Sequence, residues 1–468
     1  MAEVVGSNPI GSTAPSCVRS AAHAHNRRTT PTVTAHGAGG AVAGDRMYGR
    51  RITASLGETA RSGRRIALVG PAWVGKATLA RTYVHRRAGS VLDLRDAATR
   101  ERTAAAVDAT LASLTPPVAV IEHHRIEGLV HRLAAVQDAT DPTGQPWIVT
   151  SSVRSTAPTG SVTIEVASLT LDEHDHAPAP RFVRRLLEDG VDGVNGWQPT
   201  SPWSVQRLLQ RAALGGFPQT AEMTHHHGVD VDGDRAAPVT PSAQSTDGLL
   251  APVRAGNRLR HPTALHGLLR HHAHTAGGTP GADAATAREL GVSAPTLQRY
   301  RRLLHDHYLL TAIPAAQDTA SDTPGVTAGD ALRHALVCDP GLATHTMGLS
   351  ALHPPSADEP AARALLFTLL AHDLRVQAGS AAPGTRLAQY TAPSGRRLLA
   401  LVDDHGGLIG VDVIAHRPQD GWSSADLREL ATVVGDRWRG GVLLAPVDRA
   451  TSHDDVVHLP LCGVWQLR

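Results

Sequence analysis

Residues 64–84 read RRIALVGPAWVGKATLARTYV, and this stretch decides the fold prediction. The apolar run 66–69 predicts a short buried strand, and the residues from Thr78 onward have the spacing of an amphipathic helix. Between them, the segment from Gly70 to Lys76 has the G-x-x-x-x-G-K spacing of a phosphate-binding P-loop. The chain is therefore predicted to begin its folded part with a strand, a phosphate loop and a helix.

The physical basis of this motif is an anion site built from the main chain. Amide N–H groups of the loop and of the helix N-terminus point toward one place, where the helix dipole favours negative charge. Gly75 permits close approach of the backbone, and Lys76 adds a positive charge near the β- and γ-phosphates. The predicted nucleotide-binding residues are Gly70, Pro71, Ala72, Trp73, Val74, Gly75, Lys76, Ala77 and Thr78.

One position departs from the pattern. The residue after the lysine is normally Ser or Thr, whose hydroxyl binds Mg²⁺. Here that residue is Ala77, and Thr78 comes one place later. We therefore expect ATP or ADP binding that depends little on Mg²⁺, with weak or absent hydrolysis. In the alternative interpretation, the glycine-rich turn only joins a strand to a helix. We predict no resident metal site.

The composition limits the classes of function. A chain of 468 residues predicts several domains, and a formal net charge of +2 excludes a strong overall attraction to nucleic acid or membranes. Three widely spaced cysteines, Cys17, Cys338 and Cys462, argue against a disulfide framework and fit a reducing compartment. Neither a membrane-spanning run nor a signal peptide is recognisable, so we expect a cytoplasmic protein without membrane contact.

The first folded domain is predicted at 50–178, after an extension at 1–48 that we expect to be disordered. Its predicted strands are 66–69, 90–94, 118–122, 147–151 and 162–166, and its predicted helices are 78–87, 100–114 and 127–138. Apolar strands that alternate with helices imply a parallel sheet covered on both faces.

The rest of the chain divides into three segments. Residues 179–257 are predicted to be helical, with a polar interruption at 222–254 whose tract His225-His226-His227 is too local for a specific metal site. Residues 258–315 have the pattern of a winged helix–turn–helix, in which Gly291 makes the turn and Ser293 caps the second helix. Residues 329–468 predict helices at 359–374 and 423–434 and strands at 386–390, 397–403, 408–414 and 441–445.

The order of these segments resembles a class of bacterial and archaeal AAA-type P-loop ATPases with a winged helix and a C-terminal restriction-endonuclease-like domain. The resemblance extends over most of the chain and is carried by GPAWVGKATLA, SVLDLRDAATR, PPVAVIEHHR, WIVTSS, LGGFPQ and GLIGVDVIAH. It implies an α/β fold: a parallel P-loop NTPase sheet, then the winged helix, then an α/β restriction-endonuclease-like domain.

Several functional positions of that family are changed in this chain. Ile121 stands where the family has the Mg²⁺-binding Asp, and Glu122 stands at the position of the Glu that orients the attacking water. Glu122 is therefore the candidate catalytic residue, although a glutamate at a strand end can also be merely solvated. Thr150 and Ser152 occupy sensor-like positions beside the γ-phosphate, where ordinary strand-end hydrogen bonding is the alternative.

The C-terminal domain shows similar losses. Relative to the family's nuclease pattern, Ala400 replaces the Asp, Ile414 replaces the Lys, and Phe367 replaces the helix acid, which leaves Asp412 as a single carboxylate. Because one carboxylate does not hold a catalytic metal against water, we predict that this domain is inactive as a nuclease.

Two interpretations of the function remain open. The first is an ATP-binding AAA-family protein that acts as a nucleotide-dependent switch on an unidentified protein partner. The second is a non-enzymatic DNA-binding or protein-interaction scaffold that uses the winged helix. The side chains favouring DNA lie on or next to the second helix of the turn motif: Thr296, Gln298, Arg299, Arg301 and Arg302. A selected pseudoenzyme and a decaying gene would both explain the lost acids.

Overall fold

The computed structural model describes residues 48–63, 65–140, 145–154, 157–158, 160–218, 243–317, 328–416 and 423–468. The predicted extension, apart from Tyr48, and the tract His225-His226-His227 lie outside these residues. Within these ranges, no helix combines the length and the apolar character needed to cross a bilayer.

A parallel sheet of five strands forms the first part of the structure, in the order β2-β3-β4-β1-β5. The strands are β1 (Ile66–Val69), β2 (Ser90–Asp93), β3 (Val118–Ile121), β4 (Trp147–Ser151) and β5 (Val162–Glu165). The central strands β1, β3 and β4 are buried along their whole length, as expected for a parallel sheet covered by helices. The predicted α/β fold with a P-loop NTPase sheet is confirmed by this topology.

The helices around this sheet differ from the prediction at two places: the helix at Ile52–Arg61 has no predicted counterpart, and the helix predicted at 100–114 is broken. They are α1 (Ile52–Arg61), α2 (Lys76–His85), α3 (Ala97–Ala105), α4 (Val107–Ala112) and α5 (Leu129–Thr140). The single helix predicted at 100–114 is wrong, because Ala106 leaves the helical conformation (φ −148°) and separates α3 from α4. Helix α2 begins at Lys76, directly after the loop, so that the lysine belongs to its first turn.

The middle of the chain is mostly helical. Its elements are α6 (Leu171–His174), α7 (Phe182–Asp189), α8 (Val205–Leu214), α9 (Ala243–Ala255), α10 (Pro262–His274), α11 (Asp283–Glu289), α12 (Ala294–Asp306), β6 (Leu310–Thr311), α13 (Ala328–Arg333), β7 (Leu336–Val337) and α14 (Pro340–Thr346). The polar interruption predicted at 222–254 is wrong from residue 243 onward, because α9 occupies that part.

The helix–turn–helix pattern falls on α11 and α12. Gly291 has a positive φ of 65° in the turn, and the Ser293 hydroxyl accepts a hydrogen bond from the Thr296 amide at the start of α12. Leu297 and Tyr300 are buried, and β6 pairs antiparallel with β7 after the second helix. The helix α13 lies between β6 and β7, and β7 lies beyond residue 315, so these two strands are not a hairpin within the predicted bounds and the winged helix stays a prediction.

A second, mixed sheet of six strands dominates the C-terminal part, in the order β12-β13-β11-β10-β9-β8. Its elements are α15 (Pro360–Ala381), β8 (Arg386–Thr391), β9 (Arg397–Val402), β10 (Leu408–Val413), α16 (Ala425–Val434), β11 (Trp438–Ala445), β12 (Thr451–His453), β13 (Val456–Pro460) and α17 (Gly463–Gln466). Helix α15 is one to two turns longer than predicted, and β12 and β13 have no counterpart in the prediction.

Buried polar contacts join the two sheets through α15. The Ser168 hydroxyl, which follows β5, lies 2.9 Å from Nε2 of His372, and Nδ1 of that histidine lies 2.6 Å from the Asp373 carboxylate. The other Asp373 oxygen accepts from the Leu171 amide at 3.1 Å and from the Trp465 indole at 2.6 Å. One carboxylate on α15 therefore fixes the segment after the first sheet and the C-terminal helix together.

Candidate nucleotide-binding site

The phosphate loop leaves the carboxyl end of β1 through a glycine that no other residue can replace without strain. Gly70 has a φ of +142°, and a Cβ atom added there would stand 2.2 Å from the Val166 carbonyl oxygen. Gly75, with a φ of +95°, makes the second sharp turn directly before α2. The two glycines of the motif thus set the shape of the loop, as the spacing predicted.

The Lys76 ammonium lies inside this loop. The residue is only 4% exposed, and its Nζ donates to the carbonyl oxygens of Gly70 (2.9 Å) and Pro71 (2.6 Å) and to the Ser152 hydroxyl (3.0 Å). Burial lowers the pKa of Lys76 to about 8, against a partly compensating attraction by Glu122. The three acceptors use all three N–H bonds of the ammonium.

Glu122 and the two sensor-like residues form one hydrogen-bonded group with this lysine. Ser152 donates to Glu122 Oε1 at 2.9 Å, and Thr150 accepts from the Glu122 amide at 2.9 Å. Glu122 follows β3 in a left-handed conformation (φ 57°), which is uncommon for a non-glycine residue. The predicted residues Lys76, Glu122, Thr150 and Ser152 therefore lie together at the carboxyl ends of β1, β3 and β4.

A partly buried histidine, His124, completes this group. His124 Nε2 lies 3.6 Å from the Glu122 carboxylate, and its Nδ1 lies 3.1 Å from the Ser151 hydroxyl. Burial lowers the pKa of His124 to about 4, so the imidazole is neutral at pH 7. Lys76, which is connected to Glu122 through the Ser152 hydroxyl, is therefore charged at pH 7, whereas His124 is not.

The loop is also held from outside by a residue that sequence patterns do not single out. Arg50, before α1, donates to the carbonyl oxygens of Val74 (2.9 Å) and Ala167 (2.6 Å), and its Nε lies 3.4 Å from Glu173. In a chain rich in arginine, nothing in the spacing marks Arg50 as a loop contact. Its position ties the loop to the segment that leads to Ser168.

Trp73 projects from the loop toward α9. Its side chain is 41% exposed, and a Cβ atom added to Gly248 of α9 would stand 2.1 Å from the indole. Trp73 has a positive φ of 67°, so the loop departs from ordinary backbone conformations at this residue. The predicted binding residue Trp73 therefore connects the loop to α9.

The positions that normally hold Mg²⁺ do not fit a metal ion. Ala77 and Ile121 offer no ligand atom, and Ile121 is fully buried. Thr78 is exposed on α2. In register with Ile121 on the neighbouring strand, Asp93 accepts from Arg95 (2.9 Å) and from Arg81. Among the described residues, no group of three or more His, Cys, Asp or Glu side chains is arranged to bind a metal.

The helix–turn–helix presents a smaller basic surface than the sequence suggested. Gln298, Arg299 and Arg302 are exposed on α12, and Arg288 is exposed on α11. Arg301 is not available, because it is 2% exposed and donates to Asp283 at 2.6 Å. The interpretation of Arg301 as a DNA-facing side chain is wrong. Helical spacing places it on the same side as Leu297 and Leu304, which are also buried.

The remaining acid of the nuclease pattern is neutralised by arginines. Asp412 on β10 is 2% exposed and accepts from Arg363 at 3.2 Å and from Arg396 at 2.8 Å. Ala400, Ile414 and Phe367 are all buried and carry no ligand atom. The two guanidinium groups satisfy the carboxylate that a catalytic metal would need. Loss of nuclease activity stays a prediction that these contacts support.

No family model and no curated protein matches this chain. Among solved structures, the chain is similar to Thermotoga maritima RuvB, described as a Holliday junction branch migration motor, at 17% identity and a TM-score of 0.30. That match covers 57% of this chain and 90% of the RuvB chain. A substituted variant of the same protein gives 17% identity and a TM-score of 0.29, over 56% of this chain and 89% of the variant. Because these values are too low to support an inference about activity, the fold assignment rests on the strand order and the loop.

Proposed function

We propose that this protein is an ATP-binding, AAA-type P-loop protein that acts as a nucleotide-dependent switch, with weak or absent hydrolysis. The main-chain amides of the loop 70–76, apart from Pro71, which has none, bind the phosphates of ATP or ADP. The Lys76 ammonium exchanges at least one of its contacts to Gly70, Pro71 and Ser152 for a phosphate oxygen when the nucleotide binds. Glu122 is the residue in position to orient a water molecule. No described side chain at the usual metal positions, Ala77 and Ile121, supplies the charge neutralisation that transfer of the γ-phosphate requires.

One observation carries this proposal. Lys76 is the only lysine in the chain, in which every other basic side chain apart from histidine is arginine. A guanidinium group is planar and larger, whereas an ammonium is a compact point charge. The chain has its one lysine at position 76, where three acceptor oxygens surround the Nζ atom at 3.0 Å or less. A residue that merely filled space or carried surface charge would not require this exception.

The switch follows from the contacts of the loop. Arg50 donates to the carbonyl oxygens of Val74 and Ala167. Ser168, which follows Ala167 in the chain, contacts His372 on α15. On the other side, Trp73 contacts α9 through Gly248. A ligand that binds one arrangement of the loop more tightly shifts the protein toward that arrangement. The contact to α15 through Ser168 and the contact to α9 through Trp73 then change together.

Calorimetric titration with ATP tests the proposal when it is run once in about 5 mM Mg²⁺ and once in excess chelator. We expect micromolar affinity that changes by less than about threefold between the two conditions, because the metal ligands of the protein are missing. Strong binding that requires Mg²⁺ would show that another residue replaces them. Absence of heat in both conditions would overturn the proposal.

The titration of the single lysine provides a pH prediction. Selective ¹³C labelling of lysine gives one side-chain Cε signal, which we expect to titrate with a midpoint of about pH 8, since burial lowers the pKa of Lys76 to about 8. Phosphate bound beside the ammonium favours its charged form and raises this pKa by about one unit or more. The affinity for ATP therefore has its full value below pH 8, where Lys76 is already protonated without ligand, and falls as the pH rises above 8.

NMR titrations with and without ATP measure both midpoints. A midpoint near that of a free lysine, or one that ATP leaves unchanged, contradicts the placement of the ammonium at the phosphates.

A second candidate function, DNA binding through α12, is favoured by one observation. Gln298, Arg299 and Arg302 share the exposed face of this helix, and its only acidic residue, Asp306, is at its end. This arrangement fits the phosphates and base edges of a major groove. The same side chains also suit an acidic protein partner.

Fluorescence anisotropy with random duplexes over a salt series separates these partners. We expect Arg299→Ala and Arg302→Ala each to reduce the salt slope of log K by about 1, the contribution of one phosphate contact. Arg102→Ala, which removes an exposed arginine from α3, is the matched control. Equal slopes for all four proteins would exclude α12 as the DNA-binding surface.

A further inference from the structure

A group of charged side chains lies at the carboxyl end of β2, beside the candidate nucleotide site. Asp93, the last residue of β2, is in register with Ile121 of β3, and the Leu94 amide donates to the Ile121 carbonyl oxygen at 3.1 Å. Glu122 directly follows Ile121, and Arg95 directly follows Leu94. The pairing of the two strands therefore places Arg95 near Glu122, at the edge of the sheet where the phosphate loop also lies.

Arg95 is held in one orientation and keeps donors available for a ligand. Its Nε and Nη2 atoms donate to the two carboxylate oxygens of Asp93, at 3.0 Å and 2.9 Å. Asp93 also accepts from Arg81 on α2, so one carboxylate lies between two guanidinium groups. The Arg95 side chain is 46% exposed, and its Nη1 group has no hydrogen-bond partner among the residues that the structure describes. Both N–H bonds of Nη1 are therefore available.

The charge of Arg95 acts on both Lys76 and Glu122. Burial is the main cause of the lowered pKa of Lys76, and repulsion by Arg95 lowers that pKa further. The hydrogen bonds to Asp93 raise the pKa of Arg95, and attraction by Glu122 adds to this rise. Because Lys76 and Arg95 repel each other, an anion in contact with both cations removes an unfavourable interaction.

The balance of charge at this edge favours a phosphate group over a metal ion. Lys76, Arg81 and Arg95 are three cations, whereas Asp93 and Glu122 are two carboxylates, which leaves an excess of one positive charge among these side chains. Burial would raise the pKa of Asp93, but its contacts with the two arginines outweigh burial and lower that pKa. A metal ion would compete with two guanidinium groups for Asp93, whereas a phosphate contacts a guanidinium directly.

We propose, on the basis of the function proposed above, that Arg95 takes the part of the metal ion and binds the terminal phosphate of ATP. Its available N–H groups donate to oxygens of the γ-phosphate, while Asp93 keeps the guanidinium plane in place. A planar guanidinium can donate to two phosphate oxygens at once, which orients the phosphate and neutralises its charge. ADP lacks this phosphate and gains less from Arg95. The site therefore distinguishes ATP from ADP without Mg²⁺.

Calorimetric titration of the full chain with ATP and with ADP, both in excess chelator, tests this role of Arg95. We expect the wild type to bind ATP at least about tenfold more tightly than ADP, the effect of a charge-assisted contact to one further phosphate. Arg95→Ala should weaken ATP binding at least about tenfold and ADP binding less than about threefold. Arg102→Ala is the matched control, because this exposed arginine of α3 contacts Thr99 at 3.1 Å.

A second variant guards against a loss of structure. Asp93 keeps Arg81 as a partner when Arg95 is replaced, so we expect Arg95→Ala to fold, and its retained ADP binding reports this. Arg95→Gln keeps a polar side chain without the charge and should lose the preference for ATP in the same way. Equal losses of ATP and ADP binding in both variants would reject the contact between Arg95 and the γ-phosphate.

Failure of this role and failure of the nucleotide site give different results. A wild type that binds neither nucleotide rejects the phosphate loop as a site, and the role of Arg95 with it. If Lys76→Met abolishes the binding of both nucleotides while Arg95→Ala leaves the ratio of ATP to ADP affinity unchanged, the loop binds nucleotide and only the role of Arg95 is rejected.

Discussion

Replacing Lys76 with methionine should weaken ATP binding at least about 100-fold, which corresponds to about 3 kcal/mol. Methionine keeps the length and the apolar stem of the side chain but removes the ammonium that Gly70, Pro71 and Ser152 hold in place. Hydrogen bonds from a charged donor contribute more than neutral ones, and those in a buried loop are little screened by solvent. Titration calorimetry with ATP measures the change directly.

Two companion variants make this result specific. Lys76→Arg keeps the charge, and we expect it to lose part of the affinity, because the planar guanidinium does not fit three acceptors that surround a compact cation. Arg61→Ala removes one exposed cation at the end of α1 and should bind ATP like the wild type. Full affinity in Lys76→Met would place the phosphates elsewhere and would reject the proposed site.

Replacing Asp412 with alanine should lower the free energy of unfolding by about 3–5 kcal/mol. The carboxylate is 2% exposed, and its removal leaves Arg363 and Arg396 without this partner in a partly buried region. Removing one member of a buried ion pair is strongly destabilising, since the remaining charge is then uncompensated. Urea unfolding followed by circular dichroism measures the loss.

The same variant distinguishes a structural carboxylate from a metal ligand. Asp454→Asn, in the exposed pair with Arg428, is the control and should change stability very little, because exposed ion pairs contribute little. We also expect Mg²⁺ and Mn²⁺ to leave the unfolding midpoint of the wild type unchanged. If Asp412→Ala is as stable as the wild type but loses a stabilising effect of Mn²⁺, Asp412 is a metal ligand and the interpretation of its ion pairs is wrong.

The parts of the structure that the sequence could predict are those governed by local rules. The strand–loop–helix around Gly70 and Lys76 follows from spacing and apolar runs. The five strands of the first sheet begin and end within one residue of their predicted bounds. Ser293 caps α12 as its residue type predicts. Glu122, Thr150 and Ser152 could be grouped because carboxyl ends of parallel strands meet at one edge of the sheet.

The missed features depend on contacts between distant residues. Arg301 was expected on the surface, yet Asp283 on the preceding helix holds it in the interior. Arg50 contacts Ala167, more than a hundred residues away, and no local pattern encodes that pairing. The break at Ala106 lies in an alanine-rich run whose helix propensity predicts continuity, so local propensity does not account for it.

The Asp373 contacts have a consequence for how the chain unfolds. The carboxylate that secures the amide of Leu171 also secures the indole of Trp465, and the main apolar core includes side chains from Leu56 to Leu467. Heating should therefore disrupt the described residues between Tyr48 and Arg468 in one cooperative transition. A fragment cut at residue 178 would lose the imidazole and carboxylate partners of Ser168 and Leu171, and its nucleotide loop would rest on an incomplete support. The segments that the sequence pattern divides into domains should therefore unfold together as one cooperative unit.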